Sequence, residues 1–375
     1  MMMARLVRVM RIFLCGDVMT GRGIDQALPH PCDPRLHERY VQSAIDYVRM
    51  AEEANQPIPT PVDFPYIWGA ALQELERVRP DASIINLETS ITRSDAYVAK
   101  GINYRMSPEN ADCLVAAGVD CCVLGNNHVL DWGRAGLLET LATLDSLQIK
   151  TAGAGRDAVQ ASAPAILADT DAGRALVFSF ASKTSGVPRH WAATHDRAGV
   201  NFLPAFSDAT VAAIAALVAA VRRENDAVVV SLHWGPNWGY DIPEEQRWFA
   251  HELIDRADIS IVHGHSSHHA KSIEVYKNRL ILYGCGDFLN DYEGIKGHGE
   301  FRPDLAVMYI ADLGPGSDLF ALELVPLQIR GFQLMQTANS DVAWLRQTLD
   351  RESRQFGTCV GTAPGGRLAL SWPTM

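Results

Sequence analysis

The chain has 375 residues, 47% of them hydrophobic and 21% charged, which is ordinary for a globular protein with room for a large core. Its formal net charge of −11 lacks the basic surface expected of a nucleic-acid-binding protein, so we expect no nucleic-acid partner. No apolar run approaches the roughly 20 residues needed to span a bilayer, which argues against a membrane anchor. The seven cysteines form no C-x-x-C pair, and such free thiols are typical of a reducing cytoplasm.

The N-terminal segment predicts the first strand of a core rather than a removable leader. Its apolar stretch is interrupted by Arg5, Arg8 and Arg11, whereas a secretion signal has a continuous apolar region. The apolar residues that follow lead directly into Gly16-Asp17. We therefore expect a strand here and a cytoplasmic protein.

Short β-rich runs alternate with helical stretches through most of the chain, which is the pattern of an α/β fold with helices covering a sheet. The predicted strands are Arg11–Cys15, Ala82–Asn86, Asp120–Leu124, Ala175–Phe180, Ala227–Leu232 and Ile259–Val262. The predicted helices are Leu36–Ala54, Tyr66–Val78, Ala135–Leu147, Ala209–Glu224 and Glu244–Asp255.

After residue 270 the pattern changes to successive strands, which predicts an antiparallel sheet added to the α/β part. These strands are Ile273–Tyr276, Arg279–Leu282, Leu305–Ala311 and Leu319–Gln328, followed by a helix at Asp341–Gln355 and a Gly-rich tail. We expect a single domain over residues 1–375, with the α/β part at about 11–270 and the added sheet and C-terminal helix at about 271–360. The sequence does not indicate an oligomeric state.

Polar side chains recur at the carboxyl ends of five predicted strands, and that edge is where ligands bind in open α/β sheets. These residues are Asp17, Glu88, Asn127 with His128, His233, and His263 with His265. Each has an ordinary structural alternative, such as a helix cap for Asp17 or a solvated loop position for Glu88. Five segments that deliver polar groups to one edge, with several histidines crowded into residues 263–269, instead indicate a metal site.

The types of side chain indicate a divalent cation. Carboxylate and amide oxygens from Asp17, Glu88 and Asn127 suit calcium, magnesium or manganese, which we favour. Imidazoles from His233, His265 and His268 leave zinc and iron as alternatives. The spacing is compatible with one or two ions.

Six segments together resemble the CapA-like family of the calcineurin-like metallophosphoesterase superfamily, which is named for poly-γ-glutamate capsule biosynthesis. They are Gly16-Asp17-Val18-Met19, Asn86-Leu87-Glu88, Gly125-Asn126-Asn127-His128, Gly153-Ala154-Gly155, Gly264-His265-Ser266-Ser267-His268 and the run from Ile281 to Phe288. The resemblance implies a calcineurin-like fold, with two packed β-sheets flanked by helices. It also implies a metal centre held by Asp17, Glu88, Asn127, His233, His265 and His268. His128 would act as an acid or base beside the metal, oriented by Asp131.

Two departures from the superfamily pattern bear on the reaction. Metallophosphatases usually begin with Asp-x-His, whereas position 19 here is Met. Where they carry a Gly-Asp pair with a bridging aspartate, this chain reads Asn86-Leu87-Glu88. Both changes weaken the case for a two-metal clamp spaced for phosphate. We therefore expect chemistry other than plain phosphoester hydrolysis.

Proton transfer at a peptide Cα is one such reaction. Some CapA-like proteins are peptide epimerases of lasso-peptide biosynthesis, and this chain resembles that subgroup. Inversion needs one acid-base group on each face of the carbon. His128 with Asp131 is one candidate, and His298 with Asp291 or Asp287 is the other, although His298 also reads as an exposed loop histidine. A peptide side chain would lie against Trp234, Trp238 and Tyr240, whose alternative role is packing over a loop. The segment Ser182–Gly199 is a further candidate, as a flexible cover for a peptide.

The leading hypothesis is a metal-dependent epimerase acting on a peptide or peptide-like substrate. The second is an enzyme that processes poly-γ-glutamate or another amide polymer, and the third is a metal-dependent phosphoesterase. A binding protein that kept the fold without catalysis is a fourth alternative, which the presence of both His128 and Asp131 disfavours.

Overall fold

Two β-sheets with helices on their outer faces form the framework of the computed structural model, which describes residues 9–170, 173–295 and 297–373. The first strands are β1 Met10–Val18, β2 Ala82–Leu87, β3 Ser90–Ile91, β4 Arg105–Met106, β5 Cys121–Val123, β6 Lys150–Ala152, β7 Ala154–Gly155, β8 Ala165–Thr170, β9 Gly173–Ser182, β10 Gly199–Val200 and β11 Phe202–Leu203. The later strands are β12 Ala227–His233, β13 Ile261–His265, β14 Ile273–Tyr276, β15 Arg279–Leu282, β16 Asp287–Leu289, β17 Leu305–Leu313, β18 Leu319–Arg330, β19 Gln333–Gln336, β20 Cys359–Ala363 and β21 Arg367–Ser371.

Helices precede or follow most of the parallel strands. They are α1 Gly23–Ala27, α2 Ala44–Ala54, α3 Ala70–Val78, α4 Asp112–Ala116, α5 Gly133–Ser146, α6 Ala158–Ser162, α7 Asp208–Ala219, α8 Glu244–Ala257 and α9 Asn339–Ser353. Among the residues described, we find no helix whose length and apolar character would allow it to cross a membrane. Residues 1–8, on which part of the leader prediction depends, lie outside the described residues.

The first sheet has ten strands in the described residues, with the main order β20-β21-β18-β17-β1-β2-β5-β6. Strands β1, β2, β5 and β6 are parallel, while β17, β18, β20 and β21 continue the sheet in antiparallel fashion. The short strand β16 pairs in parallel with the end of β1.

The second sheet has seven strands in the described residues, with the main order β11-β9-β12-β13-β15-β14. Strands β9, β12, β13 and β15 are parallel, and β14 returns as a hairpin partner of β15. The carboxyl ends of β12 and β13 therefore lie side by side at one edge.

Alternation along β1 explains why the two sheets pack face to face. Ile12 and Leu14 join a core that also contains Val177 and Val229 of the second sheet. Phe13 belongs to the core under the helices of the first sheet. Because side chains of a strand alternate between its faces, a single apolar strand supplies both layers. The predicted fold, two packed sheets flanked by helices, is confirmed.

Three predicted helices are shorter than expected, and one of them, Ala209–Glu224, ends at Ala219. The predicted helix Leu36–Ala54 begins only at Ala44, because the preceding residues turn back on themselves through a bridge between Arg35 and Ser43. The predicted helix Tyr66–Val78 is interrupted at Gly69, whose φ of 42° lies outside the helical region.

The antiparallel strands predicted after residue 270 do not form a sheet of their own but join the two sheets of the α/β part. Strands β14 and β15 complete the second sheet, with β15 parallel to β13, whereas β17 and β18 extend the first. The expected Gly-rich tail instead contains the hairpin β20–β21, in which Val360 and Leu368 are buried. The strands after residue 270 therefore bury their apolar residues within the two existing sheets. The single-domain assignment stays a prediction.

Candidate metal centre and active site

Strand pairing brings the polar residues of the candidate site together. Asp17 lies inside β1 rather than after it, where it is in register with Asn86 of β2 and Asp287 of β16. His233 and His265 occupy the last positions of β12 and β13 and are also in register. The two sheets therefore present these side chains from opposite sides of one buried region.

A first group of ligand atoms comes from Asp17, His233 and His265, all within 4.8 Å of one another and buried. Nδ1 of His233 and Nδ1 of His265 are 2.7 Å apart, and Nε2 of His265 lies 2.7 Å from Oγ of Ser231. Burial lowers the pKa of both imidazoles well below its usual value. Neutral imidazoles with free lone pairs are the form that binds metal.

A second group comes from Asp17, His268 and Asp287, again within 4.8 Å and buried. Nδ1 of His268 lies 2.8 Å from Oδ1 of Asp287, and Nδ2 of Asn290 donates to the other carboxylate oxygen at 2.7 Å. Burial opposes protonation of His268, but the charge and hydrogen bond of Asp287 together with the charge of Asp17 outweigh it and raise the pKa. Both groups share Asp17, so the arrangement offers two adjacent positions for cations.

Asp287 was not among the predicted ligands. The sequence signal was present, since Gly286-Asp287 repeats the Gly16-Asp17 dipeptide of the first strand.

Glu88 and Asn127, also predicted as ligands, lie beside these groups. Oε1 of Glu88 is 3.9 Å from Nε2 of His233, and Oδ1 of Asn127 is 3.1 Å from the same atom. Asn86, which the sequence analysis did not single out as a ligand, donates from Nδ2 to Asp17 at 2.7 Å and to Glu88 at 3.3 Å. All six predicted ligands thus fall in one neighbourhood, although they do not form one compact set.

The buried carboxylates carry the electrostatic signature of a cation site. Burial, with the nearby charge of Asp287, raises the pKa of Asp17 to about 7. Burial and the charge of Asp17 raise the pKa of Glu88 well above its usual value. Carboxylates packed together without a compensating cation are costly, and a divalent ion removes that cost. The donor set therefore fits a divalent metal.

His128 and Asp131 form a hydrogen-bonded pair next to this centre. Nδ1 of His128 lies 2.6 Å from Oδ2 of Asp131, while Nε2 of His128 is 3.7 Å from Oε1 of Glu88. Burial lowers the pKa of His128 to about 4 despite its acidic partner. The imidazole is therefore neutral near pH 7, with Nδ1 held by the carboxylate and Nε2 directed toward the candidate metal ligands.

Several groups fix the position of this pair. The backbone N–H of Tyr104 and Nζ of Lys100 each donate to Asp131 at 2.7 Å. The side-chain oxygen of Asn126 accepts the backbone N–H groups of His128 and Val129. Lys100 was missed by the sequence analysis because it lies in a loop with no motif of its own.

A cavity of about 640 Å³ opens onto the centre, lined by Glu88, Asn127, His128 and His268. Of the three aromatic residues predicted to bind substrate, Trp238 also lines it.

The other two predictions need correction. Trp234 is buried and donates from Nε1 to the carbonyl of Tyr283, so it belongs to the core of the second sheet. Tyr240 packs on His269 and Phe301 outside the cavity lining.

His298 lies on the cavity wall, but its predicted partner does not reach it. The exposed imidazole stacks on Trp238 with ring centroids 4.1 Å apart. Asp291 instead accepts from Nε and Nη2 of Arg22, at 3.1 and 2.5 Å. The prediction that Asp291 or Asp287 partners His298 is therefore corrected, because the buried guanidinium of Arg22 holds Asp291 and His268 pairs with Asp287.

The segment Ser182–Gly199 packs against the core of the protein and does not cover the cavity. Val187 and Trp191 are buried, and Oγ of Ser185 donates to the carbonyl of His233 at 2.7 Å. The structure describes every residue of this segment, and none of them lines the cavity. The segment therefore contacts the backbone of His233, a candidate ligand, and does not cover the cavity.

Comparison with known proteins gives consistent similarities. A family model described as "Bacterial capsule synthesis protein PGA_cap" matches residues 11–292. Proteins named "Probable polyglutamine synthesis accessory protein" in two Mycobacterium tuberculosis strains are 45% identical over 365 residues, which is 96% of this chain and 96% of theirs. The "PGA biosynthesis protein CapA" of Bacillus subtilis is 27% identical over 208 residues, 55% of this chain and 52% of that protein. The "Capsule biosynthesis protein CapA" of Bacillus anthracis is 25% identical over 232 residues, 62% of this chain and 53% of that protein.

Proposed function

Because the chain belongs to the bacterial capsule synthesis protein family PGA_cap, a family of calcineurin-like fold, we propose that it is a metal-dependent enzyme acting on a glutamyl amide polymer or peptide. The observation that carries this proposal is the pair of buried ligand groups sharing Asp17 beside a neutral His128–Asp131 pair. Binding alone would need no such acid-base pair at the mouth of a cation site.

The substrate class rests on the relatives and on the cavity. The mycobacterial relatives are named for polyglutamine synthesis and the Bacillus relatives for capsule or PGA biosynthesis. The cavity of about 640 Å³ has room for a few residues of an extended peptide. A family-wide role in amide polymer synthesis therefore supports an amide as the reacting group.

We assign roles to the residues as follows. Asp17, His233 and His265 would hold one divalent ion, Asp17, His268 and Asp287 a second, with Glu88 and Asn127 completing the donor set. A bound ion would polarise an amide carbonyl as a Lewis acid. His128 would accept or deliver a proton at Nε2, while Asp131 keeps Nδ1 in its hydrogen bond and stabilises the imidazolium that forms.

Epimerisation at a peptide Cα is the second candidate, and His298 on the same cavity wall favours it. We rank it below amide chemistry. His298 is exposed, and Asp291 is held by Arg22, so the second acid-base group has no carboxylate partner among the described residues. His128 alone provides proton transfer from one side.

The decisive experiment incubates α-linked and γ-linked glutamyl oligomers with the protein in D₂O, after chelation and again after manganese is restored. Cleavage or transfer of glutamyl units that depends on metal supports the proposal. Deuterium at Cα without cleavage would establish epimerisation instead. Turnover of a generic aryl phosphate alone would favour a phosphoesterase, and activity that survives chelation would rule out the metal model.

The variant His128→Gln tests the acid-base role. Loss of general acid-base catalysis costs about 10²- to 10⁴-fold in rate, so we expect kcat to fall within that range while bound metal is retained. His195→Gln is the matched control, since His195 is an exposed histidine that does not line the cavity. Equal activity of His128→Gln and the wild type would exclude this role.

A further inference from the structure

A second polar cluster lines the same cavity as the candidate metal centre and has no part in the roles assigned above. It consists of Arg22, Glu38 and Tyr47. Nη1 of Arg22 donates to Oε1 of Glu38 and to the hydroxyl of Tyr47, both at 3.0 Å. The Tyr47 hydroxyl donates in turn to Oε2 of Glu38 at 2.5 Å. Two donors thus converge on one carboxylate inside the cavity.

The charge of Arg22 is already balanced without Glu38. Its Nε and Nη2 atoms form a bidentate pair with Asp291, which also accepts the backbone N–H of Gly23 at 3.0 Å. Glu38 is therefore a second buried carboxylate on a single guanidinium. A second buried carboxylate on one guanidinium is costly unless it is fully paired. The Glu38 carboxylate could therefore be replaced on Arg22 by a carboxylate of a ligand.

The cluster lies one aromatic ring away from the acid-base pair. The ring of Tyr104 contacts His128 edge-on, with centroids 4.6 Å apart, and its face lies 4.4 Å from the guanidinium carbon of Arg22. The hydroxyl of Tyr292 is 3.1 Å from that of Tyr104, and its ring lies 5.6 Å from His268. A ligand bound to Arg22 would therefore place its neighbouring atoms close to His128 and His268.

Glu38 lies in a surface loop that the bridge between Arg35 and Ser43 closes. It precedes α2 in a stretch without helix, next to Tyr40, whose side chain is 91% exposed at the cavity mouth. Asp291, by contrast, is fully buried. A ligand carboxylate can replace Glu38 on Arg22 if the loop is displaced. Replacement of Asp291 would require opening of the core.

We propose that Arg22 and Tyr47 form a specificity subsite for one glutamyl carboxylate of the substrate, which Glu38 occupies in the free protein. The inference rests on the proposed peptide-like substrate. Glu38 is itself a glutamyl side chain held by both donors, so its contacts define the ligand that fits. Ile102 and Ile295 lie on the surrounding wall, and among the described lining residues Arg22 is the buried cation, whereas Arg39 is exposed.

The test is the affinity of a γ-linked glutamyl oligomer and of the matching glutaminyl oligomer, measured by calorimetry with manganese-loaded protein. Glu38→Gln keeps the size of the side chain and removes its charge, so the substrate carboxylate no longer competes with an ionised group. We expect the glutamyl oligomer to bind about tenfold more tightly to this variant, with the affinity of the glutaminyl oligomer unchanged. Asp33→Asn, an exposed carboxylate of the same segment paired only to exposed Arg35 among side chains, is the matched control and should change neither affinity.

A second variant tests the donor. Tyr47→Phe, added to Glu38→Gln, removes the hydroxyl that would bind the incoming carboxylate and should abolish the gain in affinity. Unchanged affinity in Glu38→Gln, no binding at all, or an equal change for both oligomers would overturn the subsite. Binding that responds as expected without any turnover counts against the proposed enzyme alone, and turnover with no response to Glu38→Gln counts against the subsite alone.

Discussion

Asp17 is the residue on which the candidate metal centre depends, because both ligand groups include it. Its position in β1 is fixed on both sides, by Asn86 of β2 and by the pairing of β1 with β16. A carboxylate shared by two groups would serve as a ligand to both cations, whereas Asp287 belongs to only one of the groups. The two aspartates therefore have different expected effects on metal content.

Replacement of each aspartate by asparagine tests this difference. Asp287→Asn is expected to remove one bound ion per chain, and Asp17→Asn to remove all tightly bound metal, as measured by elemental analysis after dialysis. Asp145→Asn, which alters an exposed carboxylate on α5, should retain the wild-type metal content. Full metal content in Asp287→Asn would exclude the second ligand group.

The raised pKa values of the buried carboxylates predict a pH-dependent effect of metal on stability. Burial raises the pKa of Asp17 to about 7 and raises that of Glu88, whereas carboxyls of an unfolded chain titrate near about 4. In the metal-free protein, ionisation of these groups therefore destabilises the fold as pH rises from about 4 toward 7. A bound cation removes this penalty and competes with protons below about pH 7.

The rise in Tm on addition of manganese should consequently be larger at about pH 8 than at about pH 6. Thermal unfolding of chelated and manganese-loaded protein at both values measures the difference. Asp17→Asn serves as the control, and its Tm should respond little to manganese at either pH. A metal-induced shift that is the same at both values would contradict the assignment of these carboxylates as ligands.

At the scale of elements, the close approach of β1 and β16 depends on glycine. A Cβ atom on Gly16 would lie 1.7 Å from the carbonyl oxygen of Gly286, which accepts the backbone N–H of Asp17 at 3.0 Å. The backbones of Gly16-Asp17 and Gly286-Asp287 are therefore in direct contact, and this contact brings Asp17 beside Asp287. A side chain at position 16 would separate the two ligands.

Gly16→Ala is expected to destabilise the protein by about 3 kcal/mol or more and to reduce metal binding, because backbone rather than a flexible side chain must move. Gly361→Ala in β20 is the matched control, since its nearest neighbouring atom would be 4.0 Å away. Urea unfolding of both variants measures the change. A Gly16→Ala protein as stable as the control would show that the strands can separate without cost.

Local sequence patterns predicted the strands that carry the site and most of the candidate ligands, although β1 and β13 extend three residues beyond their predicted ends. Asp17 and His265 are examples of this kind, as is the His128–Asp131 pair three residues apart. The Gly286-Asp287 dipeptide is a local signal, but its place beside Asp17 depends on the pairing of β16 with a strand distant in sequence. The same holds for Asp291, whose partner Arg22 comes from the other end of the chain. Long-range pairing, rather than local pattern, decided these assignments.

At the scale of the whole molecule, the candidate centre joins the two sheets. Asp17 and Asp287 come from the ten-stranded sheet, while His233 and His265 come from the seven-stranded sheet. Apolar side chains fill the space between the sheets, but the centre itself is a polar region at their common edge. A metal bound by both sheets would therefore restrain their separation and not only the loops around it.

Hydrogen exchange of the metal-free and manganese-loaded protein tests this coupling. At about 100 times the dissociation constant, a ligand that binds only the folded state stabilises it by about 2.7 kcal/mol, which slows globally limited exchange about 100-fold. We expect this protection in β1 and in both β12 and β13, because opening of either sheet releases the ion. The variant Asp17→Asn should show no such change on addition of manganese. Protection confined to the segments around His128 and His268 would instead mean that the ion orders the edge of the site without linking the two sheets.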